Sequence, residues 1–311
     1  MEQKHSIVHL TNPEIDRVKW DTCISNAPNG LVYAYSVYLD QMSRHWDGLV
    51  LGDYEAVMPL TWNRKYGVAY LYQPFLCAQL GIFGSAIDAI MMEQFLYAIP
   101  SKFRYWDIYL NHQNLHPIRN IHFYERSNFI LHLDQPYQQL YNSYRENIQR
   151  NIKKAFQLGC TTVKGFGVEQ VITLARSQMR DGGQETEENL LRFAKLYSLL
   201  EQQGQARTYG ILSSKKELIA SCVFVFSHNR AYYILVGNHP DGRTIGASHA
   251  LIDSFIKDYA GQQMILDFEG SDIRNVAFFY SSFGAREEKY LGVKANKLPF
   301  YLKWLKDQGQ P

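Results

Sequence analysis

Apolar positions along this chain recur at two alternating spacings, one of strands and one of helices, and together they predict a layered α/β fold. Two helical stretches are expected early, over 13–23 and 36–44. A strand-rich block follows, with apolar runs at 47–52 and 55–62 flanking a turn at Asp53 and Tyr54, then a polar turn and a third run at 68–73. Beyond Pro74 and a short run at 80–83, residues 84–99 carry Ile87, Ile90, Met91, Phe95 and Leu96 at helical spacing, and a strand is expected at 106–110. Next come a strand at 129–133 and a long helix at 137–158, closed by Gly159 where a left-handed residue commonly ends a helix. Helices at 168–179 and 187–203 flank Gly182 and Gly183. Strands at 208–212, 217–227 and 231–237, a turn at 240–243, a helix at 246–260, a strand at 264–268, a short helix at 274–283 and a strand at 287–293 complete the pattern.

The two strand-rich blocks answer each other. Glu55-Ala56-Val57 matches Glu217-Leu218-Ile219, and Val68-Ala69-Tyr70-Leu71 matches Ala231-Tyr232-Tyr233-Ile234. Gly84-Ser85-Ala86 matches Gly246-Ala247-Ser248, and Asp107-Ile108 matches Asp267-Phe268. The offsets are 162, 163, 162 and 160 residues, and four ordered matches at a near-constant offset mark an internal repeat. The repeat implies two copies of a hairpin, strand, helix, strand unit, with domains of 1–134 and 135–311 meeting near 134–136.

Composition narrows the class. A chain of 311 residues with 46% hydrophobic and 20% charged residues is globular and has room for two domains. A formal net charge of +2 supplies no strong field for nucleic acid, so no nucleic-acid partner is expected. With 22 tyrosines, many hydroxyls need partners at cleft walls or domain seams. Cys23, Cys77, Cys160 and Cys222 are scattered, which argues against a zinc ribbon and a disulfide framework. His112, His116 and His122 have partly zinc-like spacing but lack a clear fourth ligand, and no metal is expected. The first ten residues, with Glu2, Gln3, Lys4 and His5, show no apolar core, and no run of 18 apolar residues exists. Neither a signal peptide nor a membrane span is therefore expected, and a cytoplasmic protein is the expectation.

The sharpest chemistry lies in the second copy. An apolar strand runs into Gly237-Asn238, a turn, and Arg243-Thr244-Ile245-Gly246-Ala247-Ser248, where a helix begins on small residues. Helix N-termini present free N–H groups and a positive dipole end, and small residues let a pyrophosphate approach the backbone. This segment resembles the pyrophosphate loop of the acetyltransferase (GNAT) family, Arg/Gln-x-x-Gly-x-Gly/Ala, with Ser248 in the last small position. Downstream, Tyr280-Ser281-Ser282-Phe283-Gly284 is similar to the family's Tyr-x-x-Leu/Phe-Gly signature, whose tyrosine can protonate the leaving thiolate. A phenol suits that role because its pKa lies above a thiol's.

The order of elements, Arg145 and Arg150 with Lys153 and Lys154 ahead of Gly159, and Leu266-Asp267-Phe268-Glu269-Gly270 also resemble the FemAB-type branch, which has two such halves and moves acyl or aminoacyl groups onto amines. The resemblance implies two tandem α/β domains, each a mixed, mostly antiparallel sheet flanked by helices. The C-terminal half would bind the donor, an acyl-CoA or related thioester, through Arg243, Ile245, Gly246, Ala247, Ser248, Gly237 and Asn238. Tyr280 would be the general acid. Asp267 and Glu269, two apart at a strand end, would share a face and supply a base for the amine, or else cap the turn at Gly270 and Ser271. The basic helix face would be solvated or would dock donor or acceptor phosphates through Arg145 and Arg150. The N-terminal half, which has Gln73 and Gln79 where the second half has its glycine loop, would be degenerate and line the acceptor side. The expected function is N-acyl transfer to a small-molecule or peptide amine. The alternatives are a FemAB-type aminoacyl ligase acting on a cell-wall precursor and a non-catalytic ligand-binding protein. The segment at 187–203 is too short for the coiled-coil arm common in members that use aminoacyl-tRNA.

Overall fold

The computed structural model describes residues 6–179, 183–270 and 272–298; Met1–His5, Gly182 and Ser271, touched by the readings above, lie outside them. In chain order the elements are β1 (Ile7–Leu10), α1 (Arg17–Asn26), α2 (Ser36–Met42), β2 (His45–Leu51), β3 (Ala56–Lys65), β4 (Val68–Tyr72), β5 (Phe83–Gly84), α3 (Ala89–Ala98), β6 (Phe103–Tyr109), β7 (His122–His132), α4 (Tyr137–Ser143), α5 (Glu146–Gln157), β8 (Thr161–Lys164), α6 (Val168–Arg176), α7 (Gly183–Gln202), β9 (Ala206–Leu212), β10 (Leu218–Ser227), β11 (Arg230–Asn238), α8 (Pro240–Ile245), α9 (Ala247–Tyr259), β12 (Ile265–Asp267), α10 (Arg274–Ser281) and β13 (Arg286–Asn296).

The chain divides into two compact units, Met1–Arg126 with Lys289–Pro311, and Ser127–Glu288. In the first, β2, β3, β4 and β6 lie side by side in that order, with β1 outside β2 and β13 outside β6. In the second, β9, β10, β11 and β12 repeat the order, with β8 outside β9 and β7 outside β12. In each unit one pair is parallel, β4 with β6 and β11 with β12, and the other pairs of these rows are antiparallel. Each sheet is thus mixed, mostly antiparallel and flanked by helices. The parallel pair in each unit is spanned by a helix, α3 or α9, as a parallel crossover requires. Each unit has its own apolar cluster. Leu49, Met58, Leu71, Phe95 and Phe103 lie in the first, and Tyr209, Phe224, Leu251, Phe255 and Phe268 in the second. Burial of each such side chain stabilises its unit by roughly 1.5–3 kcal/mol.

Several sequence expectations shift for physical reasons. The first helix starts at Arg17 rather than 13, because the Asp16 carboxylate caps it by accepting the N–H groups of Val18 and Lys19 at 3.0 and 3.1 Å. The helix expected over 137–158 is two helices, α4 and α5. Tyr144 and Arg145 are extended between them, and the Arg145 N–H donates to Ser282 O at 2.9 Å, a tertiary contact that periodicity does not register. The expected turn at 240–243 is the helix α8, with Pro240 in its first turn and His239 as cap. The short strands β1 and β8 were not expected, and each gains its ladder only from its neighbour, β2 or β9.

Candidate active site

The site begins as a split in the second unit's sheet. β11 and β12 pair in parallel only through Arg230–Ile265, Ala231–Leu266 and Tyr232–Asp267, although β11 continues to Asn238. Past Asp267 the chain stays with the β7 side, where Phe268 N–H donates to Phe129 O at 3.0 Å, while β11 stays paired with β10. The two strands therefore part company. On the β11 wall the register jumps from Ser221–Gly237 to Val223–Ile234, so Leu235 and Val236 oppose the single residue Cys222. Leu235 takes a left-handed φ of 46° in this bulge, which removes backbone groups from the ladder. Cys222 is fully buried, and burial pushes its thiol well above the ordinary value.

Aromatic rings line the split. The ring of Tyr280, from α10, stacks on Phe268 with centroids 4.6 Å apart and meets Tyr233 edge-on at 6.4 Å. Phe279 sits beside it and receives the His249 ring, from the first turn of α9, edge-on at 5.0 Å. Burial raises the Tyr280 phenol above its ordinary value, with the Glu269 carboxylate adding to the effect, so the group stays protonated across the neutral range. Burial also lowers the His249 imidazole to about 4, leaving it neutral at pH 7.

The two acidic residues divide in role. β12 ends at Asp267, so Glu269 lies in the following turn, at φ 62°, and not on a shared strand face. Asp267 is buried and paired with Arg230 at 2.6 Å, while its other oxygen accepts the Glu269 N–H at 2.8 Å. Arg230 in turn donates to both oxygens of Glu288, at 3.0 and 3.2 Å. Asp267 thus fixes the turn that carries Glu269.

The glycine segment closes one corner of the same unit. Gly246, at φ 85°, ends α8 and begins α9, which has no side-chain cap. A Cβ there would stand 2.6 Å from Asn151 O on α5, so both conformation and packing require glycine. Ala247 is buried, Ile245 half-buried and Arg243 exposed. The Ser248 and Asn238 side chains bond to each other. Gly237 lies under α6, where a Cβ would stand 2.6 Å from Ala175 N. The exposed Arg145 places its guanidinium 4.4 Å from the Phe278 ring centre on α10, whereas Arg150 is exposed beside Glu146 at 4.0 Å. In the first unit, Gln73 accepts the Tyr109 N–H at 3.0 Å and donates to Cys77 O at 2.7 Å. Gln79 is 2% exposed, and its carbonyl oxygen has no hydrogen-bond partner among the described residues.

Sequence reasoning misses Arg230, and it meets Cys222, Tyr233 and Phe268 only as a scattered cysteine, a repeat match and part of a motif, with no site role. The three apolar or aromatic ones read as ordinary strand residues, and Arg230 meets Asp267 only through the parallel register. All four cysteines are free thiols. Among the described residues, no group of three or more His, Cys, Asp or Glu could hold a metal ion, and no helix is long and apolar enough to cross a membrane.

Residues 142–272 match the family model described as an acetyltransferase (GNAT) domain. Among solved structures, the chain is similar to FemX with a TM-score of 0.64 and 13% identity, over 94% of this chain and 99% of that one. A conserved protein of unknown function from Bacteroides thetaiotaomicron superposes with a TM-score of 0.59 and 11% identity, over 90% and 97% of the two chains. The C-terminal domain (DUF2156) of a protein assigned as a lysylphosphatidylglycerol synthetase from Agrobacterium fabrum gives 0.53 and 10%, over 91% and 92%. No curated protein matches the sequence. The chain thus has a GNAT-like fold, matched by the family model over 142–272 and shared with FemX over most of its length.

Proposed function

We propose that the chain transfers an acyl group from an acyl-CoA-like thioester to an amine, in a ternary complex at the split between β11 and β12. The observation that carries this reading is the split itself, walled by a backbone bulge on one side and by Tyr280 and Glu269 on the other. The donor's phosphates approach the segment Arg243–Ser248, and its carbonyl oxygen turns to N–H groups of β11 from Leu235 to Asn238. Holding amine and carbonyl together supplies much of the rate. As the amine nitrogen bonds to the carbonyl carbon, Glu269 accepts its proton, directly or through water. Tyr280 protonates the sulfur as the carbon–sulfur bond breaks. Asp267 moves no proton and positions Glu269. The N-terminal half serves the acceptor.

A second reading, aminoacyl transfer from an ester donor, draws on two observations. The Cβ position of Gly246 is filled by Asn151, so packing against α5 already accounts for a glycine there without a pyrophosphate. A phenol raised above its ordinary value also matches an oxygen leaving group better than a thiolate.

The test is thiol release from a panel of acyl-CoA donors and amines, with wild type and Tyr280→Phe side by side. Turnover is expected to fall about 10²–10⁴-fold in the variant, with the melting temperature nearly unchanged. A fully active variant removes Tyr280 from the mechanism. Ester aminolysis without thiol release selects the second reading. Tight donor binding with no turnover of either kind makes the protein a binding module.

A further inference from the structure

Away from the split, the second unit holds an open groove of about 510 Å³ between α4, the end of α5, β8 and α9. Its walls are aromatic. Tyr137 and Tyr141 stand with ring centres 5.7 Å apart, and Phe156 joins the lining with 42% of its surface exposed. On the groove lining lies Asp253, only 3% exposed. Its two oxygens accept the Tyr137 hydroxyl at 3.0 and 3.2 Å, while the buried Tyr144 hydroxyl has no hydrogen-bond partner among the described residues. Among the described residues it has no ion-pair partner.

A buried carboxylate is costly unless a cation or several hydrogen bonds compensate it. Here the Tyr137 phenol does part of that work, and burial still holds the carboxyl above its ordinary value. The other charges of the groove are accounted for. Asp258 is paired with Lys164 at 2.5 Å and accepts the Tyr209 hydroxyl at 2.7 Å. Lys257, exposed and one turn beyond Asp253 on α9, holds its ammonium 5.7 Å from the centre of the Tyr137 ring. The groove therefore already seats one alkylammonium against its aromatic wall, on a side chain free to swing out into water.

The geometry points to a binding site for a small primary alkylammonium, whose N–H groups donate to Asp253 and whose alkyl body packs between Tyr137, Tyr141 and Phe156. Ring faces attract cations electrostatically, and a desolvated carboxylate beneath them adds a directional acceptor. The Lys257 ammonium competes for the same place and sets the affinity. This site is separate from the transfer reaction and stands or falls without it.

The test uses the whole protein in low salt, with n-butylammonium as probe, n-butanol as its uncharged match, and amide chemical shifts of α4 and α9 as the readout. Wild type should bind n-butylammonium and not n-butanol. Asp253→Asn, which keeps the shape and can still bond Tyr137, should weaken binding at least about ten-fold, as expected for losing one charge-assisted bond. Lys257→Ala removes only an exposed side chain, so it tests the site even if the Asn variant folds poorly, and it should tighten binding by about three-fold or more. Equal binding of butylammonium and butanol overturns the proposal. So does unchanged affinity in a folded Asp253→Asn protein, or the absence of saturable binding at millimolar concentration in both wild type and Lys257→Ala.

Discussion

The parallel seam is built twice in this chain, and the two versions end differently. In the first unit β4 and β6 pair through Tyr72–Asp107, and the gap beyond is then sealed by the chain itself. The Gln73 side chain accepts the Tyr109 N–H, Leu80 N–H donates to Tyr109 O at 3.0 Å, and Leu80 bridges Leu110. In the second unit the strands separate after Tyr232–Asp267, and aromatic side chains rather than backbone bonds line the opening. The helix that follows each seam differs in the same sense. α3 begins on the Asp88 carboxylate, which accepts the Met91 N–H at 2.8 Å and puts negative charge at the helix start. α9 begins on Gly246 without a side-chain cap. One topology thus gives a closed structural seam and an open one, and the difference rests on a few polar side chains. The aspartates at matching strand ends follow suit: Asp107 accepts the Tyr124 hydroxyl at 2.8 Å, while Asp267 holds a buried arginine.

The largest expected effect comes from breaking that last distinction. Arg230→Met strands two carboxylates in the second unit and should cost about 3–5 kcal/mol in denaturant unfolding. Tyr124→Phe, the counterpart, removes one neutral donor and should cost about 1–3 kcal/mol. Equal costs would mean that Arg230 is not the element that holds Asp267. Next is Gly246→Ala, strained at its positive φ and crowded by Asn151, which should destabilise by about 2–4 kcal/mol. Gly67→Ala in the first unit has a positive φ of 78° and open space around it, so about 1 kcal/mol is expected. Opening the closed seam with Gln73→Leu removes the acceptor of the Tyr109 N–H and the donor to Cys77 O and should cost about 1–2 kcal/mol. The smallest effect is Asp88→Ala, about 1 kcal/mol for a lost cap, with no matching cap to delete at α9. Melting curves on the same buffer series rank all of these.

Much of this architecture was legible before any coordinates. The apolar spacing located most strands and helices of both seams because each buries one face against a core, and burial repeats with the period of the element. The offset matches found the recurring hairpin, strand, helix and strand for the same reason. Gly246 and Tyr280 are marked by a local signature, and the fold places them at a helix start and on a short helix. Gly246 reads from sequence as a place for phosphate to approach, and the fold adds a second demand for glycine, since a Cβ there would meet the α5 backbone at Asn151.

What the residue order determined by itself, then, is most of the elements and their repeated order. What only the tertiary structure decided is which seam is open and which residues are committed elsewhere. Asp267 and Glu269 look equivalent as neighbours in sequence, yet Arg230, reached through a parallel register 37 residues away, holds the first, while the second lies past the strand end in the turn. Gln73 looked like a cleft residue and is a seal across two strands. The physical reason is common to these cases. Burial and period are local properties that a chain carries along its length, whereas hydrogen-bond partners between distant strands exist only once register and crossover have been set.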